Sequence, residues 1–276
     1  MFDLTIQFLE GRLWLGLALA MALSLAAWRF GALTASGGLA ASLVGGFTYG
    51  LAGLPAAILL IAFFGSSSLL SRAYARRKRQ VTANFAKGVR RDWAQVAANG
   101  GMPVLALLAG AGGLLAMPVA WAVFAAALAT VTADTWATEL GVLSKTAPRL
   151  ITIGKPVPTG TSGGVSMLGS LVGLGAALFI GILAWLLPQP AMVSALVIAT
   201  VAGVLGSFVD SYLGATVQAI YYCPKCKKET ERHPAHSCGT KTTLRRGWPW
   251  LTNDWVNFLS AAVGALLALG GATFLM

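Results

Sequence analysis

ATVTADTWATELGVLSKTAPRLITIGKPVPTGTSGGVSMLG, residues 129–169, decides how the chain is organised. It opens inside an apolar run that carries Asp134 and Glu139. It then crosses a short basic loop with Lys145, Arg149 and Lys155 and reaches the turn Gly160-Thr161-Ser162-Gly163-Gly164, from which a second apolar run leaves. Acids at the end of one membrane span, bases between, and a flexible turn at the start of the next are the ingredients of a metal and phosphate site at a membrane surface.

Outward from this stretch the chain is a series of such runs. Eight are expected, at about 13–30, 33–50, 53–71, 97–115, 118–141, 165–187, 192–221 and 252–275. Gly45, Gly46, Gly50 and Gly53 interrupt the second and third, so these two read equally as one broken or re-entrant element. Of 276 residues, 57% are hydrophobic and 11% charged, where a soluble domain carries about 25% charged residues. The 33 glycines suit close packing of membrane helices. The runs are continuous, which excludes the alternating segments of about ten residues that build a membrane β-barrel. The expected fold is therefore all-α: one polytopic transmembrane bundle over residues 1–276, with a cytoplasmic Cys/His loop at 222–247.

A net charge of +11 raises the question of nucleic acid. The distribution argues against it. Eighteen of the 20 Lys and Arg fall in the segments 72–91, 145–155 and 225–246, and clustering of bases in short loops marks the cytoplasmic side of a membrane protein. Those loops are separated by pairs of spans and so share a side. The opposite connections, at Met117-Pro118 and Pro188-Gln189-Pro190, are short and uncharged. This arrangement puts both termini outside a cell (inner) membrane. Asp3 and Glu10 precede the first run, which is therefore expected to be a retained span and not a cleaved signal. A homo-oligomer is compatible with the sequence.

Only nine acids exist, and Asp134, Glu139, Asp210 and Asp254 lie in or at the ends of apolar runs. An ionisable group in hydrocarbon costs a few kcal/mol, so it faces a bundle interior and has a partner. That partner is either an arginine, locking helices together, or a ligand. Asp134 and Glu139 are five apart, about 140° around a helix, and do not share a face; Asp134 is the stronger candidate for a metal. Asp210 sits among the small residues of GSFVDSYLG (206–214), and Asp254 lies between Asn253 and Asn257. Carboxylate and amide oxygens suit Mg²⁺, which keeps waters and bridges substrate phosphates. The turn at 159–166, with Gly160, Thr161, Ser162, Gly163, Gly164 and Ser166, can aim backbone N–H groups at a phosphate, helped by the N-terminus of the next helix. It is not a Walker A loop, since no Gly-Lys-Ser/Thr follows.

Two further segments stand out. In the loop 72–101, Arg72, Arg76, Arg77, Lys78 and Arg79 read as a solvated face toward anionic lipid, whereas Arg91, Asp92, Gln95 and Asn99 stand at the start of a span and could line the site. All three cysteines fall in 223–238, as C-x₂-C followed by H-x-C. Cys223, Cys226, His236 and Cys238 supply the four tetrahedral N/S ligands that structural Zn²⁺ takes, with His233 an alternative fourth. A reducing cytoplasm disfavours a disulfide there.

The motifs ADTWATELG (133–141), PRLIT (148–152), VPTGTSGGVS (157–166), GSFVDSYLGATVQ (206–218), NDWVNF (253–258) and RRDWAQVAANGG (90–101) together resemble one integral-membrane family. It was long labelled a domain of unknown function, and it includes the plant phytyl-phosphate kinase of vitamin E biosynthesis. It looks distantly related to dolichol kinase and phosphatidate cytidylyltransferase. The resemblance covers about residues 70–265. It implies Mg²⁺-dependent transfer of the γ-phosphoryl group of CTP, or another nucleoside triphosphate, to a prenyl monophosphate in the membrane. Asp134, Glu139, Lys155 and Asp210 would then be catalytic. Lys145, Arg149, the 160–166 turn, Asn99, Ser211 and Asn253 would bind the nucleotide, and Asp134, Asp210 and Asp254 the Mg²⁺. Cytidylyl transfer to a lipid phosphate, and transport of a lipid phosphate, are the competing readings.

Overall fold

The computed structural model describes residues 2–73, 90–187 and 193–275, with side chains from residue 11 onward. The basic residues Arg76, Arg77, Lys78 and Arg79 and the Pro188-Gln189-Pro190 connection lie outside the described residues. Among the described residues, seven helices are long and apolar enough to cross a membrane: α1 (Phe2–Arg29), α2 (Ala35–Ala73), α3 (Trp93–Ala111), α4 (Met117–Gly141), α5 (Met167–Leu186), α6 (Val193–Thr216) and α7 (Asn253–Leu275).

The second and third apolar runs form the single element α2, folded back on itself. A straight helix of 39 residues would be about 58 Å long. Yet Arg72, near its end, donates to the Phe30 carbonyl just ahead of its start, at 2.7 Å. The reversal is at Gly53, with φ 73° and ψ −160°, a conformation that costs a residue with a Cβ. Pro55 follows and opens the second arm. The two arms supply the two spans expected from the hydropathy, so the chain can cross a bilayer eight times.

Helix α4 is the axis of the bundle. Residues 120–133 are all buried, among them Trp121, Phe124, Leu128 and Thr130. Its neighbours approach through small residues. A Cβ at Gly206 of α6 would fall 2.5 Å from Thr130 Oγ1, and one at Gly264 of α7 would strike the same hydroxyl. The outer faces expose large apolar side chains, such as Leu39 at 70% and Leu266 at 64%, as a lipid-facing surface requires.

Helix boundaries depart from the hydropathy reading where polar chemistry intervenes. Helix α3 begins at Trp93, ahead of the apolar run, because Asp92 caps it. The Asp92 carboxylate accepts from Gln95 N at 3.0 Å, and Gln95 Oε1 accepts from Asp92 N. Helix α6 stops at Thr216, short of the expected 221. Arg246 donates to the Gly214 and Ala215 carbonyls at 2.9 and 3.0 Å, satisfying its last turn. The Ile220–Cys223 segment, rich in β-formers, then becomes a strand.

The small sheets all lie at one end of the bundle. Strands β1 (Arg149–Leu150) and β2 (Gly164–Val165) pair antiparallel, Arg149 opposite Val165. Strands β3 (Ile220–Cys223), β4 (Lys228–Thr230) and β5 (Thr243–Arg246) form a sheet in the order β4-β3-β5. The ends of α4 and α6 and the starts of α5 and α7 meet at that same end.

Candidate active site

A cleft of about 970 Å³ opens at this end between α4, α5, α6 and the loops above them. Asp134 enters it from α4 and Asp210 from α6, and their carboxyl groups lie within hydrogen-bonding reach of each other. Asp210 is only 8% exposed. Helix α7 holds it in place: Ser260 Oγ donates to Asp210 Oδ2 at 3.2 Å. The Asn257 amide, turned so that its nitrogen faces the carboxylate, donates to Oδ2 at 3.0 Å and to the Asn253 carbonyl at 3.3 Å. Among the described residues no Lys or Arg lines the cleft. A half-buried and a buried carboxylate side by side, with no basic partner among those residues, are set up to share a proton or to hold a cation.

The opposite wall is the glycine-rich turn. Gly160 and Gly163 have φ of 86° and 80°, and a Cβ at Gly163 would fall 2.5 Å from Ala215 N. Only glycine lets the turn press against the end of α6. Thr161 Oγ1 donates to the Pro158 carbonyl at 2.7 Å, and Ser162 Oγ donates to Gln218 Oε1 at 2.9 Å. Both hydroxyls therefore shape the turn. Ser166 is the N-cap of α5, accepting from Gly169 N at 3.1 Å. The first turn of a 20-residue helix thus points its positive end into the cleft.

Of the residues singled out from sequence, Asp134, Asp210, Ser211, Asn253, Gly160, Thr161, Ser162, Gly163, Gly164 and Ser166 line this cleft. The others do not. Glu139 turns to the far side of α4, where Ser71 of α2 donates to it. Asp254 is in the first turn of α7 but off the cleft wall. Lys145, Arg149 and Lys155 are exposed on the connection between α4 and the turn, Arg149 donating to the Gly154 carbonyl at 2.8 Å. Asn99 lies in a separate apolar groove.

Two cleft residues, Gln218 and Glu231, and Ser260 behind the cleft wall carry no earlier expectation from the sequence. Gln218, 1% exposed, bridges the turn to Glu231: it accepts from Ser162 and donates to Glu231 Oε1 at 2.9 Å. Glu231, just beyond β4, faces both aspartates. Ser260 backs Asp210. The spacing Asn253, Asn257, Ser260 follows one face of a helix and was the available signal for the last of these; Glu231, in a lysine-rich loop, gives none.

The β3–β4 hairpin, with Cys223 and Cys226, and the β4–β5 connection, with His236 and Cys238, together carry the Cys/His group. The donor atoms of Cys223, Cys226, His236 and Cys238 all lie within 4.8 Å of one another, the spacing of ligands around one metal ion. Cys226 N points to Cys223 Sγ at 3.5 Å, as in a knuckle. His236 Nδ1 lies 3.4 Å from Cys238 Sγ. Hydrogen bonding with Thr240, then His236, holds the Cys238 thiol down to about 5, favouring the thiolate a metal needs. Hydrogen bonding with Cys238 and burial push the Cys226 thiol up to about 11. His233 is not in the group; it stacks on Tyr221 with centroids 4.5 Å apart. Arg246, whose guanidinium burial pulls down from its usual range, ties β5 to the end of α6 beneath the turn.

A polytopic bundle with this motif set defines an integral membrane protein of one family. The chain belongs to the integral membrane protein DUF92 family, whose profile matches residues 18–265. Protein PGR of Arabidopsis thaliana is 33% identical over 270 residues, 84% of this chain and 86% of that protein. Uncharacterized membrane protein MJ0933 of Methanocaldococcus jannaschii is 30% identical over 206 residues, 74% of this chain and 82% of that one. Protein VTE6, chloroplastic, of Arabidopsis thaliana is 27% identical over 242 residues, 86% of this chain and 64% of that protein. No solved structure matches.

Proposed function

We propose that the protein is a membrane-embedded prenyl-phosphate kinase. It transfers the γ-phosphoryl group of CTP, or of another nucleoside triphosphate, to a prenyl monophosphate such as phytyl or geranylgeranyl phosphate. The observation that carries this reading is the Asp134–Asp210 pair facing the 159–166 turn and the α5 N-terminus across one cleft. The motif resemblance to the family of the plant phytyl-phosphate kinase adds the reaction class.

The donor set fits Mg²⁺: hard carboxylate oxygens, two from helices and Glu231 beside them, with no Lys or Arg among the described lining residues. Bound there, Mg²⁺ would neutralise charge on the donor phosphates. The chain's own part is positioning. The turn and the α5 N-terminus present N–H groups to the phosphates, and the exposed bases Lys145, Arg149 and Lys155 draw the nucleotide in at the rim. An oxygen of the acceptor phosphate forms the new P–O bond as the γ-phosphorus separates from its bridging oxygen and the nucleoside diphosphate leaves. No general base is required, because the acceptor is already an anion. Gly173, Leu174, Val204 and Phe208 continue the cleft into the α5–α6 seam, flanked by the exposed Leu171 and Val201, a path for the prenyl tail into lipid. Cys223, Cys226, His236 and Cys238 match a closed structural Zn²⁺ site. The clustered bases put the cleft end on the cytoplasmic side of the cell membrane.

The test uses purified protein, Mg²⁺, a panel of γ- and α-labelled nucleotides and a panel of prenyl monophosphates. The reading requires γ-label in a lipid diphosphate with release of nucleoside diphosphate. Pyrophosphate with α-label in a CDP-lipid would replace it by cytidylyl transfer.

A further inference from the structure

A second cavity, about 680 Å³, lies between α1, both arms of α2 and α3. Its walls are apolar, built from residues such as Leu23, Ala41, Val44 and Leu60. Arg91 is the one charged residue among the described residues that line it. The guanidinium lies 5.5 and 5.3 Å from the ring centroids of Phe63 and Phe64, and its Nη1 is buried without a hydrogen-bond partner. The Arg91 backbone is fixed, its N–H donating to Ala32 O and its carbonyl accepting from Thr34 N, both at 3.0 Å. The arginine therefore cannot withdraw without undoing the start of α2. Gln95 and Asn99 follow on the same face of α3.

The Glu139 carboxylate of α4 acts on Arg91 electrostatically, but a buried guanidinium nitrogen that lacks a hydrogen bond costs free energy that a bonded oxyanion would recover. The groove beneath it is too apolar for a soluble anion. An amphiphile satisfies both. The groove is also separate from the catalytic cleft. Asp134, Ala137, Thr138 and Gly141 of α4 face the cleft, whereas Trp136 and Glu139 face α2, where they meet Ser66 and Ser71. The two cavities thus open on opposite sides of α4.

We propose that this groove is a binding site for one anionic phospholipid of the bilayer, its phosphate on Arg91 and a chain along α1, α2 and α3. The bound lipid is a resident of the fold and not the acceptor of the reaction, so the site stands whatever the chemistry of the cleft.

Native mass spectrometry of the full chain, with phosphatidylglycerol or phosphatidylcholine as the probe, tests it. One arginine near a membrane surface is worth about fivefold in affinity for an anionic lipid. Wild type should retain one phosphatidylglycerol with at least that preference, and Arg91→Gln should lose the preference. Ala41→Phe, which fills the groove and leaves Arg91 in place, should lose the lipid. Arg245→Gln, at an exposed arginine over Tyr222, should behave as wild type. Should Arg91→Gln fail to fold, Ala41→Phe and Arg91→Lys decide the matter. Equal retention of both lipids by wild type, or undiminished retention by Ala41→Phe, overturns the proposal. So does displacement of the phospholipid by geranylgeranyl phosphate, which would make the groove the acceptor's own.

Discussion

Two clusters of side chains of the kinds that can ligate metals sit at the same end of this bundle, and they are built in opposite ways. Asp134 and Asp210 come from helices far apart in sequence, offer hard oxygens, and face a cleft that is open to solvent. Cys223, Cys226, His236 and Cys238 come from one loop of sixteen residues, offer soft donors, and close on themselves within 4.8 Å. A closed quartet leaves no position for a substrate, whereas the open pair does. In the proposed function the first does the chemistry and the second holds a loop. The two come near each other at Glu231, which follows β4 and acts electrostatically on Asp210.

The comparison can be broken by exchanging the roles. The largest effect should come from the open pair. Removing an outer-shell partner of a metal costs 10–100-fold, so Asp210→Asn should lower transfer by at least about a hundredfold. Its melting temperature without metal should be unchanged or higher, since a buried charge is removed. Turnover within a few-fold of wild type would remove Asp210 from the reaction. Next, Cys223→Ser should abolish stoichiometric zinc, measured by elemental analysis, and lower the melting temperature. Activity should fall by about tenfold and not vanish; complete loss in a variant that still folds would mean the quartet is not merely structural. The smallest effect belongs to the bridge. Glu231→Gln should raise the Mg²⁺ concentration for half-maximal rate by a few-fold while leaving the saturated rate near that of wild type, as a Mg²⁺ titration would reveal. An unchanged Mg²⁺ requirement would separate the two clusters functionally.

The bundle was legible from hydropathy because a bilayer imposes span lengths on apolar runs. The fold-back of α2 was legible only as one of two alternatives: two spans meeting near Gly53 were expected, and the same glycines fitted one broken element as well. In the cleft, Asp134, Asp210 and the 160–166 turn were legible, because an acid in a span and a glycine-rich turn are each costly unless used. Glu139 shares the first signature but spends it on Ser71 of α2. Asn99 reads as part of the nucleotide site but lines the separate apolar groove instead. Gln218 and Glu231 act through contacts between segments that no local pattern announces.

The most direct test of the central claim is transfer of label from γ-labelled CTP to phytyl or geranylgeranyl phosphate in the presence of Mg²⁺, with wild type beside Asp134→Asn. Label in a lipid diphosphate for wild type, lost in the variant and on chelation of Mg²⁺, is the result expected. A folded wild type that leaves every prenyl monophosphate unlabelled with any nucleoside triphosphate, or an Asp134→Asn protein with undiminished transfer, would contradict it.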